Sequence, residues 1–345
     1  MHIAVLGASG LVGRTMVQCL AAQSWVDEPP LLLCSSHSAG QQVPFREQVL
    51  SCHDAALHDC SNVELALFSA GAAASRLYGP LFSEAGAWVV DNSSAFRMTA
   101  GVPLVVPEVN AALVPALGSD AAAGGGIIAN PNCSTIQIVV PLAALDQAFG
   151  LREAHVTTLQ SVSGAGQRAV DELQRQARGA VAQETGSADV ASEAATSGLF
   201  PRFIAANVIP AIGTAMPDGS FEEEDKVVRE TRKILDRPGL AVSCTATRVP
   251  VLRGHGAAVR VILSRKVTPA EAAEALTRWP GMVVDPDPHG YRTPLEIAGL
   301  NPIHVGRLRA DPCRDDALLF WVVADNLLKG AAWNAVQIVE LLAGV

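Results

Sequence analysis

Short apolar runs alternate with longer amphipathic stretches over the first 130 residues. The runs are His2–Leu6, Pro30–Cys34, Glu64–Ser69, Trp88–Asp91, Leu104–Val106 and Gly126–Ala129, and Leu11–Ala22 and Ala72–Ala85 read as helices between them. Apolar strands separated by helices predict βαβ units and a mostly parallel sheet covered on both faces, an α/β fold. After residue 133 the rhythm changes. A helix is predicted from about Ser134 to Phe149, followed by longer, alternating strands over His155–Gln160, Ala241–Val251, Ala257–Ser264, Ile303–Arg309 and Leu318–Ala324. Fewer intervening helices predict an α+β domain on a mixed or antiparallel sheet. Gln167–Arg178 reads as a helix and Gly179–Gly198, rich in Ala, Ser, Gly and Glu, as a loosely ordered insertion. The stretch Asn326–Leu342 places Leu327, Leu328, Ala331, Ala335, Ile338, Val339 and Leu342 on one helical face.

A chain of 345 residues with 49% apolar side chains fills more than one core, so two domains are expected. The net charge of −9 argues against binding nucleic acid, while leaving room for a local basic pocket around a small anion. The longest uncharged window, Ala121–Leu145, is broken by a glycine triplet and Asn130-Pro131-Asn132. It falls short of a spanning helix of about 20 apolar residues, and no membrane association is expected. Seven cysteines without a CxxC pair argue against a disulfide framework or a zinc ribbon, so no metal is expected and a reducing cytoplasm is the expected setting.

Polar clusters follow several strands, at Ser35-Ser36-His37-Ser38, Asn92-Ser93-Ser94 and Asn130-Pro131-Asn132. Ligands of open α/β sheets bind outside the carboxyl ends of strands. Directly after the first strand comes Gly7-Ala8-Ser9-Gly10-Leu11-Val12-Gly13, opening a helix. Its glycines allow close approach of a pyrophosphate, and the free N–H groups of the helix start favour negative charge. The spacing is GxxGxxG, so a ligand-free tight turn is the competing reading. The end of the second strand carries Ser35, Ser36, His37 and Ser38 with no carboxylate in reach, which favours a 2′-phosphate and NADP over the ribose diol of NAD. A solvated serine-rich turn is the alternative.

Cys133 lies in Asn130-Pro131-Asn132-Cys133-Ser134-Thr135, between an apolar strand and an apolar helix. A thiol at a helix N-terminus is favoured as thiolate, and neighbouring N–H groups suit an oxyanion. The other six cysteines, Cys19, Cys34, Cys52, Cys60, Cys244 and Cys313, read as buried, inert thiols. A thiolate nucleophile needs a proton-handling partner. His255, between two glycines at a strand junction and preceded by Arg248, is the histidine whose context stands out.

These residues carry a specific resemblance. NPNCST, the Gly7 turn, SGAG at Ser163–Gly166 and RVPVLRGH at Arg248–His255 resemble bacterial aspartate-β-semialdehyde dehydrogenases. So do DNSSAFRM (Asp91–Met98), VPLVVPEVN (Val102–Asn110), NVIP (Asn207–Pro210), ETRKIL (Glu230–Leu235) and DNLLKGAAWNAVQI (Asp325–Ile338), in the family's order along nearly the whole chain. The resemblance implies a Rossmann-type NADP domain over residues 1–132, completed by the C-terminal helix 326–345, and a catalytic and dimerisation domain over 133–325 forming a homodimer. It implies NADPH-dependent reductive dephosphorylation of β-aspartyl phosphate to aspartate semialdehyde and phosphate through a cysteine thioacyl intermediate, within biosynthesis of lysine, threonine and methionine. Cys133 would attack, His255 act as acid/base and Gln160 orient the cysteine or the acyl group. Arg248 would grip the α-carboxylate and Glu223 the amine, with the register open within Glu222–Glu224. Lys226, Arg97 and Asn132 would bind phosphate, while Ser163, Gly164 and Asn326 would contact the cofactor. Three positions depart from the family pattern: His37 for a basic residue, Gly256 for serine and Ala206 for an aromatic. The competing readings are an N-acetyl-γ-glutamyl-phosphate reductase, a non-catalytic paralogue of the same fold and a thiol redox switch.

Overall fold

In the computed structural model, which describes residues 1–119, 122, 124–182 and 198–345, the N-terminal apolar runs pair side by side. One unit holds Met1–Val140, Glu230–Pro238 and Leu327–Val345. Its strands are β1 (Ile3–Leu6), β2 (Leu31–Cys34), β3 (Gln42–Phe45), β4 (Gln48–Ser51), β5 (His53–Asp54), β6 (Leu65–Phe68), β7 (Trp88–Asp91) and β8 (Gly126–Ala129). Six of them form a parallel sheet of order β5-β2-β1-β6-β7-β8, and β3 pairs with β4 as a separate hairpin. Every residue of β1, β6 and β7 is buried, as a parallel sheet covered on both faces requires. Alternate side chains go to opposite faces. Val5, Leu67 and Val90 pack with Met16 and Leu20 of α1 (Leu11–Ala21) and with Val336 and Val339 of the C-terminal helix Trp333–Ala343. Ala4, Ala66, Phe68 and Val89 pack with Phe82 of α2 (Ala72–Glu84). Two further helices begin in this sequence region, α3 (Pro107–Asn110) and α4 (Cys133–Phe149).

The other unit holds Pro141–Arg229 and Gly239–Asn326. Its strands are β9 (Leu151–Gln160), β10 (Ala241–Arg248), β11 (His255–Leu263), β12 (Met282–Val284), β13 (Ile303–Asp311) and β14 (Arg314–Ala324). They form a mixed sheet of order β10-β9-β11-β14-β13-β12, parallel at β9/β10 and β12/β13 and antiparallel elsewhere. The helices here are α5 (Gln167–Ala182), α6 (Glu222–Ile234, which enters the first unit at Glu230), α7 (Pro269–Arg278) and α8 (Pro294–Ile297). Most of the Gly179–Gly198 insertion lies outside the described residues; α5 runs four residues past its predicted end. Among the described residues, no helix is long and apolar enough to cross a membrane.

Two local expectations are corrected. Leu104–Val106 is no strand but makes a single bridge from Leu104 to Ala129, because Pro103 and Pro107 cannot donate to a ladder. The β3–β4 hairpin was not foreseen. The predicted C-terminal helix over 326–342 is broken: Leu328–Ala332 is a π-helical turn, and the α-helix starts at Trp333. The wider turn brings residues five apart into line, which serves buried Lys329. Its Nζ donates to Asn334 Oδ1 at 2.9 Å, Gln337 Oε1 at 2.8 Å and Glu108 Oε2 at 2.6 Å. A buried cation is tolerated only when paired and hydrogen-bonded. Lys329→Ala would leave the Glu108 carboxylate buried without its cation, and is expected to cost about 3–5 kcal/mol. Urea unfolding checks this, and a loss below about 1 kcal/mol would contradict it.

Candidate active site

The glycine turn sits where the sheet order reverses, between β1 and β6. Gly7 adopts φ +85°, and a Cβ there would meet Ser69 O at 2.5 Å; a Cβ on Gly13 would meet Gly7 O at 2.0 Å. Both glycines are therefore required by close backbone approach. Gly10 caps α1 without a side-chain bond, leaving the first turn formed by Leu11, Val12 and Gly13 free of a competing acidic group. Gly7, Ser9, Gly10, Cys34, Ser35, Ser69 and Tyr78 line a cavity of about 330 Å³ in front of it. Such a cradle at the start of a helix fits a dinucleotide pyrophosphate. Ser35 precedes a short 3₁₀ turn, Ser36–Ser38, on which Ser36 and His37 are exposed. The expectation that no carboxylate lies near the end of β2 is corrected. Asp54 stands opposite Cys34 across β2–β5, and its Oδ1 accepts from Ala56 N–H at 3.0 Å. A two-residue strand gave no sequence signal for that pairing.

On the same sheet, Cys133 is the first residue of α4, four positions beyond the end of β8, and half-buried. Asn132 caps the helix: its Oδ1 accepts from Ser134 N–H at 2.8 Å and Thr135 N–H at 3.3 Å. These two N–H groups are engaged by the cap. Arg97, 8% exposed, donates from Nε to Asn130 O at 3.0 Å and from Nη2 to Asn92 O at 2.9 Å. Its Nη1 pairs with Glu230 Oε1 at 3.0 Å, and Glu230 Oε2 accepts from the Asn132 N–H at 2.6 Å. Of the other cysteines, Cys19, Cys34 and Cys52 are buried, and burial pushes Cys52 up to about 11. Cys60 and Cys244 are half-buried, and burial followed by Glu224 and Glu223 pushes Cys244 up to about 12. Cys313 is exposed in the β13–β14 turn, against the expectation that all six are buried.

In the second unit, His255 opens β11 fully buried. Its Nδ1 accepts from Ser161 N–H at 3.0 Å. A backbone N–H can only donate, so the ring proton of neutral His255 sits on Nε2. That Nε2 is buried without a partner. A Cβ on Gly164 would lie 3.1 Å from both His255 Nε2 and Arg248 Nη1, so glycine leaves the space in front of both groups. Arg248 ends β10, 7% exposed, with Nη1 donating to Ser161 O at 2.8 Å. Burial, then the Arg248 charge, holds His255 protonation down to about 3. Asn326 Oδ1 accepts from Gly254 N–H at 2.8 Å and from the Ser161 and Ser163 hydroxyls at 3.2 and 3.1 Å. Ser163 and Asn326, expected at the cofactor, brace the His255 turn. Ser161 was missed: it lies between the matching blocks, and its role comes from a backbone N–H.

Gln160 ends β9 and donates from Nε2 to Glu223 Oε1 at 3.0 Å. Glu223 is the buried member of the three glutamates, at 8% exposure. Glu224 is occupied by Ala246 N–H and Phe221 N–H, and Glu222 by Lys226 Nζ at 3.0 Å. Lys226 Nζ is 3.7 Å from Glu223 Oε2. This unit therefore assembles a guanidinium, a buried carboxylate, an ammonium and a neutral imidazole. Unfolded His255 titrates near 6.5 and folded His255 near 3, so between these values the unfolded chain binds more protons. His255 thus stabilises the fold fully above pH 6.5 and progressively less below it. Wild type is expected to lose about 1.4 kcal/mol per pH unit more than His255→Gln between pH 6 and 4 in denaturant titrations. Parallel stability curves would contradict this.

The chain is similar to known proteins along its whole length. The family model "Semialdehyde dehydrogenase, NAD binding domain" matches residues 2–115, and "Semialdehyde dehydrogenase, dimerisation domain" matches residues 142–329. The aspartate-semialdehyde dehydrogenase of Bacillus subtilis is 40% identical, covering 99% of this chain and 97% of its own. That of Aquifex aeolicus is 38% identical over the same shares. The crystal structure of aspartate semialdehyde dehydrogenase II from Vibrio cholerae, complexed with ASA, superposes with a TM-score of 0.90 at 37% identity, covering 99% of this chain and 97% of that one. With both units matched and the similarity running end to end, the chain belongs to the aspartate-semialdehyde dehydrogenase family.

Proposed function

We propose that the protein catalyses the NADPH-dependent reductive dephosphorylation of L-β-aspartyl phosphate to aspartate semialdehyde and phosphate, a step toward lysine, threonine and methionine. The observation that carries this reading is within one sheet. The glycine turn after β1 and Cys133 after β8 both lie at carboxyl ends of its parallel strands, where cofactor and nucleophile serve one reaction. Residues 1–132 with 326–345 act as the cofactor domain and 133–325 as the catalytic and dimerisation domain, and the dimerisation-domain match supports a homodimer.

The Cys133 thiolate attacks the acyl carbon, and the C–O bond to phosphate breaks, leaving a thioester on the protein. When bound, the dinucleotide supplies hydride to that thioester carbon. His255, neutral and carrying its proton on Nε2, donates a hydrogen bond to the oxyanion that results; the oxyanion then reforms the carbonyl as the S–C bond breaks, releasing aldehyde and restoring thiolate while the proton stays on Nε2. Its Nδ1 is held by a peptide N–H, so His255 serves as donor in this tautomer rather than as base toward the thiol. Arg248 takes the α-carboxylate, Glu223 the α-amine with Gln160 holding Glu223, and Lys226, Arg97 and Asn132 take phosphate. Gly7, Ser9, Gly10, Leu11, Val12 and Gly13 cradle the pyrophosphate, Ser163, Gly164 and Asn326 border the nicotinamide end, and Ser35–Ser38 take the 2′-phosphate. The competing acetylated substrate lacks the free amine that a buried Glu223 would recognise.

Phosphate-dependent reduction of NADP by aspartate semialdehyde tests the reading. Wild type is expected to be active, and Cys133→Ser to lose several orders of magnitude in kcat, since an alcohol is a far poorer nucleophile. An inactive wild type would refute the substrate, and an active serine variant the mechanism. The same assay is expected to give a lower KM for NADP than for NAD, and the reverse order would refute the role of Ser35–Ser38.

A further inference from the structure

Glu230 has no part in the bond-making steps, yet it is 1% exposed and both its oxygens are engaged. Oε1 accepts from Arg97 Nη1 at 3.0 Å and Oε2 from the Asn132 N–H at 2.6 Å. One carboxylate thus bridges two phosphate ligands, the second of which precedes Cys133. One turn further along α6, Lys233 Nζ donates to Arg97 O at 2.7 Å, Thr99 O at 3.2 Å and Val102 O at 2.8 Å. The helix therefore grips the Arg97 loop twice, once by its side chain and once by its backbone. Arg97 uses three of the five guanidinium donors on Asn130, Asn92 and Glu230, with one further N–H on each of Nη1 and Nη2. Two donors on a fixed plane match two phosphate oxygens.

We propose that Glu230 is a positioning residue for the phosphate, setting the plane of Arg97 and the Asn132 peptide together before the anion arrives. The inference rests on the acyl-phosphate reading above. It has a sign that simple charge neutralisation does not share. If Glu230 merely dampened Arg97, removing its charge would strengthen phosphate binding. If it positions Arg97, removal weakens binding, because glutamine offers one acceptor oxygen where two donors need one each.

The test is steady-state kinetics in the phosphate-consuming direction with Glu230→Gln, varying phosphate, semialdehyde and NADP in turn. The KM for phosphate is expected to rise about tenfold or more, as for a lost charge-assisted hydrogen bond, with the other two KM values within about twofold. Glu230→Asp keeps the buried charge but is one methylene short of both donors. It is expected to show the same phosphate-specific rise, so the test survives poor folding of the glutamine variant. An unchanged or lower KM for phosphate, or an equal rise in all three KM values, would overturn the positioning role. A wild type without phosphate dependence would overturn the acyl-phosphate reading and this inference with it.

Discussion

Asn130 has no exposed surface, and every polar group on it is used, so the loop that carries Cys133 has one way to sit. Its N–H donates to Asp91 O at 2.8 Å, and its carbonyl accepts from Arg97 Nε. Its side-chain amide donates to Asn92 Oδ1 at 2.6 Å and Ala331 O at 3.2 Å, while Oδ1 accepts from Asn334 Nδ2 at 2.6 Å. Two distant segments, 91–97 and 331–334, are thereby tied to the residue three before Cys133. Such a network rigidifies when complete and is costly when any member is lost. It continues outward through Asn334 to Lys329 and Glu108, and inward through Arg97 and Glu230 to the cap residue Asn132. The π-turn at Leu328–Ala332 follows from this constraint, since Lys329 must reach Asn334 five residues on.

The second unit solves a different problem, keeping a histidine neutral and of one tautomer beside an arginine. Burial and the guanidinium both disfavour the imidazolium, and the Ser161 peptide fixes which nitrogen carries the proton. The same arginine thus helps to hold its neighbour neutral. Gly164 is the steric condition for both groups, because a side chain there would crowd each of them.

The parallel sheet, the mixed sheet and the fold class were legible because apolar runs and alternation follow burial on two faces or one. Cys133 was legible because a strand–turn–helix boundary is a local pattern. Glu230 was not. It sits in the block ETRKIL, but nothing local distinguishes a buried glutamate whose partners lie 98 and 133 residues away. Asp54 escaped because a two-residue strand has no periodicity, and the tautomer of His255 because it depends on a backbone N–H. Lys329 gave no local signal, because its buried partner Glu108 lies 221 residues away.

In the proposed reaction, chemistry passes through a covalent acyl group on Cys133. Incubating the protein with aspartate semialdehyde and NADP in the absence of phosphate should strand that group, and intact-mass spectrometry with peptide mapping would locate it. One aspartyl adduct per chain, confined to the peptide holding Cys133 and discharged on adding phosphate, is the predicted result. No adduct despite NADP reduction, or an adduct on another residue, would contradict the account.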